Sequence, residues 1–143
     1  ATILVVEDEP AVRRILVQGL RNAGHRVIET DGGNEALAAS RRHEGTIDLV
    51  VTDVMMPGFR GPEVAALLRA ERPGIRVLFV SGYSDRGVNL DAFGGGAAFL
   101  PKPFAAPELT AGVRALLDSG RERSAAFSTK PLRLCESGST YGK

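Results

Sequence analysis

The apolar residues of this chain occur in five short runs, and amphipathic stretches separate these runs. Short apolar runs are typical of strands buried on both faces, as in parallel sheets. The predicted strands span residues 2–6, 25–29, 49–51, 75–80 and 97–100. The second run is more polar than the others, which predicts a strand at the edge of the sheet. The third run leads to an acid, Asp53, and we expect this strand at the centre of the sheet.

Between the strands, apolar residues recur at helical spacing. The predicted inward positions are Val12, Ile15, Leu16 and Leu20; then Ala36, Leu37 and Ser40; then Val64, Leu67 and Leu68; and finally Leu109, Val113, Leu116 and Leu117. We expect Asp31 to cap the second helix and the last helix to end near Gly120. The glycines of segment 84–96 predict only a short or distorted helix there. Alternating strands and helices predict an α/β fold with right-handed crossovers and a parallel sheet.

Length and composition indicate one domain followed by a tail. The chain has 143 residues, and its periodicity fades after residue 120 into Ser, Gly, Lys and Arg. We therefore predict a domain over residues 1–120 and a flexible C-terminal tail or linker over residues 121–143.

Charge and cysteine content narrow the class of protein. The net charge of +1 is not that of a nucleic-acid-binding surface. The single cysteine, Cys135, forms no disulfide framework or cysteine metal site. No apolar run approaches the roughly 20 residues of a membrane span. We expect a cytoplasmic domain that neither binds nucleic acid directly nor enters a membrane.

Four of the predicted strands are followed by polar side chains. These are Glu7 and Asp8, then Asp53, then Ser81, then Lys102. Because the carboxyl ends of parallel strands lie at the same edge of a sheet, the five side chains can converge there. Three carboxylates together repel one another, and a hard divalent cation relieves that repulsion. An all-oxygen set with few protein ligands predicts Mg²⁺.

Lys102 is conspicuous because residues 1–118 contain twelve arginines and only this one lysine. A compact ammonium suits contact with a single oxygen of an anion. The Lys102–Pro103 bond is a candidate for the cis form, since X–Pro bonds are where cis peptides occur. Phe99 is either a core aromatic or part of a switch, and its position alone leaves both roles open.

The segments VVEDE, TDVMMPG, VSGY and FLPKPF occur in an order and spacing that resemble the receiver domain of bacterial response regulators. The resemblance covers about residues 2–118. It implies a flavodoxin-like, doubly wound sheet of five parallel strands in the order 2-1-3-4-5.

The resemblance also implies roles for individual residues. Asp53 matches the phosphoacceptor, and Lys102 matches the phosphate-binding lysine. Glu7 and Asp8 match the acidic pair that holds Mg²⁺, and Met55 matches the position whose backbone carbonyl completes the metal shell. Ser81 and Phe99 match the hydroxyl residue and the rotating aromatic of the switch.

The implied function is that of a two-component signalling receiver rather than a conventional enzyme. Asp53 would accept a phosphoryl group from a phosphohistidine on a histidine kinase or a histidine phosphotransfer protein. The domain would catalyse its own phosphorylation and dephosphorylation, and Ser81 and Phe99 would then shift a two-state equilibrium. The alternative hypothesis is a receiver-like interaction module that is not phosphorylated. A phosphatase with an aspartyl nucleophile is disfavoured, because such an enzyme needs a second acid at the position of Met55.

Two features depart from the usual receiver pattern. Glu7 replaces the more common aspartate, although its longer side chain still reaches a cation. The glycine-rich segment 84–96 replaces the usual fourth helix. Together with the sequence around FLPKPF, it is similar to receivers at the end of hybrid sensor kinases. The segment predicts a switch in which phosphorylation orders residues 82–96.

Overall fold

The structure is a computed structural model that describes residues 1–55, 58, 60–82 and 96–129, with side chains described as far as Ser119. Five strands and four helices lie in the described residues. In chain order they are β1 (Thr2–Val6), α1 (Pro10–Asn22), β2 (Arg26–Thr30), α2 (Gly33–Arg42), β3 (Leu49–Asp53), α3 (Gly61–Glu71), β4 (Arg76–Ser81), β5 (Ala97–Pro101) and α4 (Ala106–Thr129).

The five strands form one parallel sheet in the order β2-β1-β3-β4-β5. This confirms the predicted flavodoxin-like topology, with the polar strand β2 at an edge. All five residues of β3 are buried, as the apolar run predicted for a central strand. Parallel pairing places the carboxyl ends of all strands at the same edge of the sheet.

Each face of the sheet is covered by a pair of helices. On one face, Val50 of β3 packs with apolar residues of α2 and α3. On the other face, Leu49 and Val51 pack with residues of α1 and α4. Successive side chains of a strand point to opposite faces, so one apolar run supplies both layers of the core. The doubly wound architecture follows from this.

Two predicted inward positions of the helices are exposed. The side chains of Ile15 and Leu67 are 54% and 42% exposed. Val17 and Ala65 are buried on α1 and α3 instead. Where several adjacent residues of a helix are apolar, the sequence pattern defines the buried face only to within about one residue. Contact with the sheet decides which of these residues are buried.

Two predicted helix ends were wrong. The N-cap of α2 is Gly32 rather than Asp31, and the N–H of Asp31 instead donates to the carboxylate of Glu35. The last helix does not end near Gly120 but continues to Thr129. A single glycine inside a helix costs only about 1 kcal/mol, so it need not end one.

Segment 84–96 lies outside the described residues except for Gly96, and so do residues 130–143. The predicted distorted helix and the predicted division at residue 120 therefore remain predictions. Among the described helices, none combines the length and the apolar character needed to cross a membrane.

Candidate functional site

Asp53 is the last residue of the central strand β3, and it is only 7% exposed. The chain beyond it is held against β4 and α3. The N–H of Val54 donates to the carbonyl of Val80 at 3.3 Å, and the N–H of Gly61 donates to the carbonyl of Val54 at 2.7 Å. A side chain at Gly61 would collide with the carbonyl oxygen of Asp53. The first turn of α3 can therefore approach Asp53 only because residue 61 is glycine.

Three carboxylates meet at this edge of the sheet. Glu7 and Asp8 follow β1, the strand next to β3, and the two residues lie beside Asp53. One oxygen of each carboxylate lies within 4.8 Å of the corresponding oxygens of the other two. Glu7 is completely buried, whereas Asp8 is exposed. The cluster therefore has a buried side and a side that opens to solvent.

The ammonium group of Lys102 places a positive charge beside the same three carboxylates. Its Nζ atom lies 3.5 Å from Oδ2 of Asp53 and 3.8 Å from Oε1 of Glu7. Its N–H donates to the carbonyl of Ser81 at 2.7 Å, which ties the chain after β5 to the end of β4. The bond between Lys102 and Pro103 is cis, as its sequence allowed.

The two buried acids bind protons more tightly than isolated carboxyl groups do. The pKa of Glu7 is raised from 4.5 to about 7, because burial and, after it, the charge of Asp53 raise it by more than the N–H of Glu9 and the charge of Lys102 lower it. Burial also raises the pKa of Asp53, whereas Lys102 and the backbone N–H groups of Met55 and Val54 lower it. Lys102 thus offsets only part of the cost of charging this cluster.

The donor set fits a hard divalent cation. In the described part of the chain, Oε1 of Glu7 is buried and accepts no hydrogen bond, and its contact with Lys102 Nζ is long, at 3.8 Å. A buried carboxylate oxygen left in this way is costly, and a cation shared with Asp8 and Asp53 would satisfy it. All three donors are oxygens, and the exposed side leaves space for water ligands.

Ser81 and Phe99 lie on β4 and β5, the two strands beyond β3 in the sheet order. Ser81 ends β4 and is 4% exposed. Phe99 pairs in register with Phe79 on the neighbouring strand, and their ring centroids are 5.7 Å apart. Phe99 is only half-buried, so it is packed on one side. Its position is compatible with both roles that the sequence left open.

Met55 lies two residues beyond Asp53, and its side chain is 52% exposed. Its backbone pairs with Arg60 in an isolated antiparallel bridge. Its N–H also donates to the carboxylate of Asp53 and lowers the pKa of that group. The role of the Met55 carbonyl as a metal ligand remains a prediction.

Two residues at the site were not identified from the sequence. One is Gly61, whose lack of a side chain allows the close approach of α3 to Asp53. The other is Arg13. Its guanidinium donates to the backbone carbonyl of Glu7 at 2.8 Å. One arginine among several on α1 carries no distinguishing signal in the sequence.

Comparison with known proteins identifies the family. A family model described as the response regulator receiver domain matches residues 3–114. The chain is 42% identical over 122 residues to the sensor kinase CckA of Brucella abortus. That alignment covers 82% of this chain but 13% of the kinase. The chain also spans less than two thirds of the length of other curated relatives that it matches.

Solved structures agree with this assignment. The receiver domain of the hybrid histidine kinase CckA is 36% identical, with a TM-score of 0.69 over 82% of this chain and 99% of that one. The response regulator TrrA of Thermotoga maritima, solved in complex with Mg(2+)-BeF, is 33% identical. It has a TM-score of 0.69 over 81% of this chain and 98% of that one. This chain belongs to the response regulator receiver domain family of two-component signalling proteins.

Proposed function

We propose that this domain takes a phosphoryl group from a phosphohistidine onto Asp53 in the presence of Mg²⁺ and changes conformation as a result. One observation carries the proposal. Asp53 ends the central strand within 3.5 Å of Lys102 Nζ, and it shares a cluster with the carboxylates of Glu7 and Asp8. A nucleophile, a cation and a metal-ligand set are the three parts that phosphoryl transfer requires.

In the proposed reaction, an oxygen of Asp53 attacks the phosphorus atom of the phosphohistidine. A bond forms between Asp53 and phosphorus, the bond between phosphorus and the histidine nitrogen breaks, and the electron pair stays on the imidazole. Lys102 is placed to neutralise an oxygen of the transferring group. When bound at Glu7, Asp8 and Asp53, Mg²⁺ supplies further positive charge to that group. Hydrolysis of the aspartyl phosphate by water would return the domain to its starting state.

The partner that fits this chemistry is a histidine kinase or a histidine phosphotransfer protein. The similarity to the receiver of a hybrid histidine kinase supports a place in such a phosphorelay. Kinase phosphohistidine is made from ATP, so we place the domain in the cytoplasm.

The same site provides a route for the conformational change. Ser81 ends β4, and its carbonyl accepts the N–H of Lys102. A phosphoryl oxygen on Asp53 would attract the Ser81 hydroxyl, and the half-buried Phe99 ring would move into the space released. Ordering of residues 82–96 would follow, although most of that segment lies outside the described residues.

Phosphorylation of an Asp53→Asn variant tests the nucleophile. The wild-type chain should gain one phosphoryl group from a phosphorylated histidine kinase or from acetyl phosphate, as measured by intact mass. The variant should gain none and should keep the circular dichroism spectrum of the wild type. Asp31→Asn is the matched control, because Asp31 is exposed and follows the edge strand β2, which does not pair with β3.

The outcomes separate the two candidate functions. Labelling of the Asp53→Asn variant at the wild-type level would contradict the assignment of Asp53. A wild-type chain that takes no label from any donor, and yet binds a kinase, would instead be a receiver-like interaction module.

A further inference from the structure

Arg13 connects three parts of the structure at the acidic edge of the sheet. It lies in the first turn of α1, and its Nη1 donates to the backbone carbonyl of Glu7 at 2.8 Å. Its Nε pairs with Oε2 of Glu29, on the edge strand β2, at 3.2 Å. The Arg13 side chain is 20% exposed, compared with 44% for Glu29. The guanidinium therefore lies between the chain after β1 and the edge strand.

The carbonyl that Arg13 contacts belongs to the peptide group that joins Glu7 to Asp8. A peptide group is planar, so its oxygen, its nitrogen and both flanking Cα atoms move together. Fixing the oxygen therefore restricts the positions of the Cα atoms from which the Glu7 and Asp8 side chains leave the backbone. On the other side of Glu7, its N–H donates to the carbonyl of Thr30 at 3.2 Å. The backbone of Glu7 is thus held at both of its polar groups.

This contact is with the main chain and not with a carboxylate. The charge of Arg13 is directed to Glu29, outside the set of three acids. A partly exposed ion pair of this kind contributes little to stability. The geometry therefore gives Arg13 a more specific role than stabilising the fold.

We propose that Arg13, oriented by Glu29, is a positioning residue that holds the Glu7–Asp8 peptide so that both carboxylates face one cation. This inference rests on the Mg²⁺ site of the proposed function. Outer residues that orient metal ligands change metal affinity when they are replaced, without touching the metal themselves.

Direct titration of Mg²⁺ by calorimetry tests the inference. Arg13→Gln should raise the Mg²⁺ Kd about tenfold, as is typical when an orienting partner of a ligand is lost. The melting temperature without Mg²⁺ should change little. Arg14→Gln is the matched control, because it removes the same charge from the next, exposed residue of α1. Its Kd should stay within about twofold of the wild-type value.

The sign of the change distinguishes positioning from simple electrostatics. Removing a positive charge near a cation site reduces repulsion, so electrostatics alone predicts tighter Mg²⁺ binding by Arg13→Gln. Positioning predicts weaker binding. The Mg²⁺ Kd of Arg13→Lys should lie between those of the wild type and Arg13→Gln. A single ammonium reaches the carbonyl of Glu7 but lacks the planar fork that also pairs with Glu29.

Two variants of Glu29 test its share of the role. Glu29→Ala removes the acceptor for Arg13 and should weaken Mg²⁺ binding. Glu29→Gln retains an acceptor oxygen and should bind Mg²⁺ like the wild type. Equal weakening by both variants would show that Glu29 acts through its charge and would overturn its assignment as the orienting acceptor.

An Arg13→Gln variant that is folded and binds Mg²⁺ as tightly as the wild type, or more tightly, overturns the inference and leaves the proposed function standing. A wild-type chain that binds no Mg²⁺ overturns the metal site of the proposed function and this inference with it. If Arg13→Gln does not fold, the Mg²⁺ affinity of Arg13→Lys is the deciding measurement. The inference is overturned if Arg13→Lys and Glu29→Ala both bind Mg²⁺ with the wild-type affinity.

Discussion

The ammonium nitrogen of Lys102 lies 3.5 Å from Oδ2 of Asp53, across the carboxyl edge of the sheet. The contact joins a residue after the edge strand β5 to the last residue of the central strand β3. The Lys102 side chain remains 25% exposed, so its ammonium group can also contact a ligand bound at Asp53. The pair therefore combines the proposed nucleophile with a partly exposed positive charge.

Replacing Lys102 should impair phosphorylation without weakening the binding of Mg²⁺. We expect Lys102→Gln to lower the rate of Asp53 phosphorylation by acetyl phosphate about 100-fold, the typical cost of losing one charge-stabilising group. Mg²⁺ should bind equally or more tightly, because a competing cation has been removed. Arg114→Gln, which removes an exposed cation of α4, is the control and should react like the wild type. A wild-type rate in Lys102→Gln would show that Lys102 does not contact the transferring group.

The buried Glu7 should make the metal-free protein less stable as pH rises. Its pKa is raised from 4.5 to about 7, so within that window the folded protein binds more protons than the unfolded chain. The free energy of unfolding must therefore fall with rising pH across the window. At about 1.4 kcal/mol per pKa unit, the loss is on the order of 3 kcal/mol.

Urea unfolding at a series of pH values measures this loss. Glu7→Gln should remove most of the slope, while the exposed Glu44→Gln should retain it. Mg²⁺ competes with the proton for Glu7, so saturating Mg²⁺ should reduce the slope of the wild type. A wild-type slope in Glu7→Gln would place the titrating group elsewhere.

Substitution of Gly61 should destabilise the domain next to Asp53. A Cβ atom at residue 61 would lie 3.0 Å from Cα of Val54 and would collide with the carbonyl oxygen of Asp53. Both neighbours are backbone atoms, so the chain itself must shift. We expect Gly61→Ala to cost about 1–3 kcal/mol in urea unfolding, as overpacking typically does. Gly74→Ala is the control, because a Cβ atom there meets nothing within 4 Å. Equal stability of the two variants would contradict the close approach.

Removal of the residues after Gly120 should leave the domain folded. The helix α4 continues to Thr129, but its described buried residues Leu109, Val113 and Leu116 all precede the cut. We expect the melting temperature to change by no more than about 4 °C, and phosphorylation to persist. By contrast, Leu109→Ala should cost about 2–5 kcal/mol, because Leu109 is fully buried. Unfolding of the truncated chain would show that residues beyond Gly120 pack against the core.

The sequence by itself determined the strands and the edge at which the candidate site lies. Strands buried on both faces require continuous apolar runs, and such runs are visible without a structure. Once the strands were parallel, Glu7, Asp53, Ser81 and Lys102 had to lie at one edge. The sequence therefore predicted that these residues lie at one edge, because each stands at, or directly after, the end of its own strand.

Only the tertiary structure decided the contacts between elements that are distant in the chain. Arg13 reaches the carbonyl of Glu7 and the carboxylate of Glu29, and Gly61 lies against the backbone of Asp53. Periodicity reports which face of an element is apolar, and it says little about which neighbour a particular side chain will contact. Even the buried face was imprecise, as the exposed Ile15 shows. These contacts depend on the position and rotation of each helix on the sheet, and only packing of the whole core determines them.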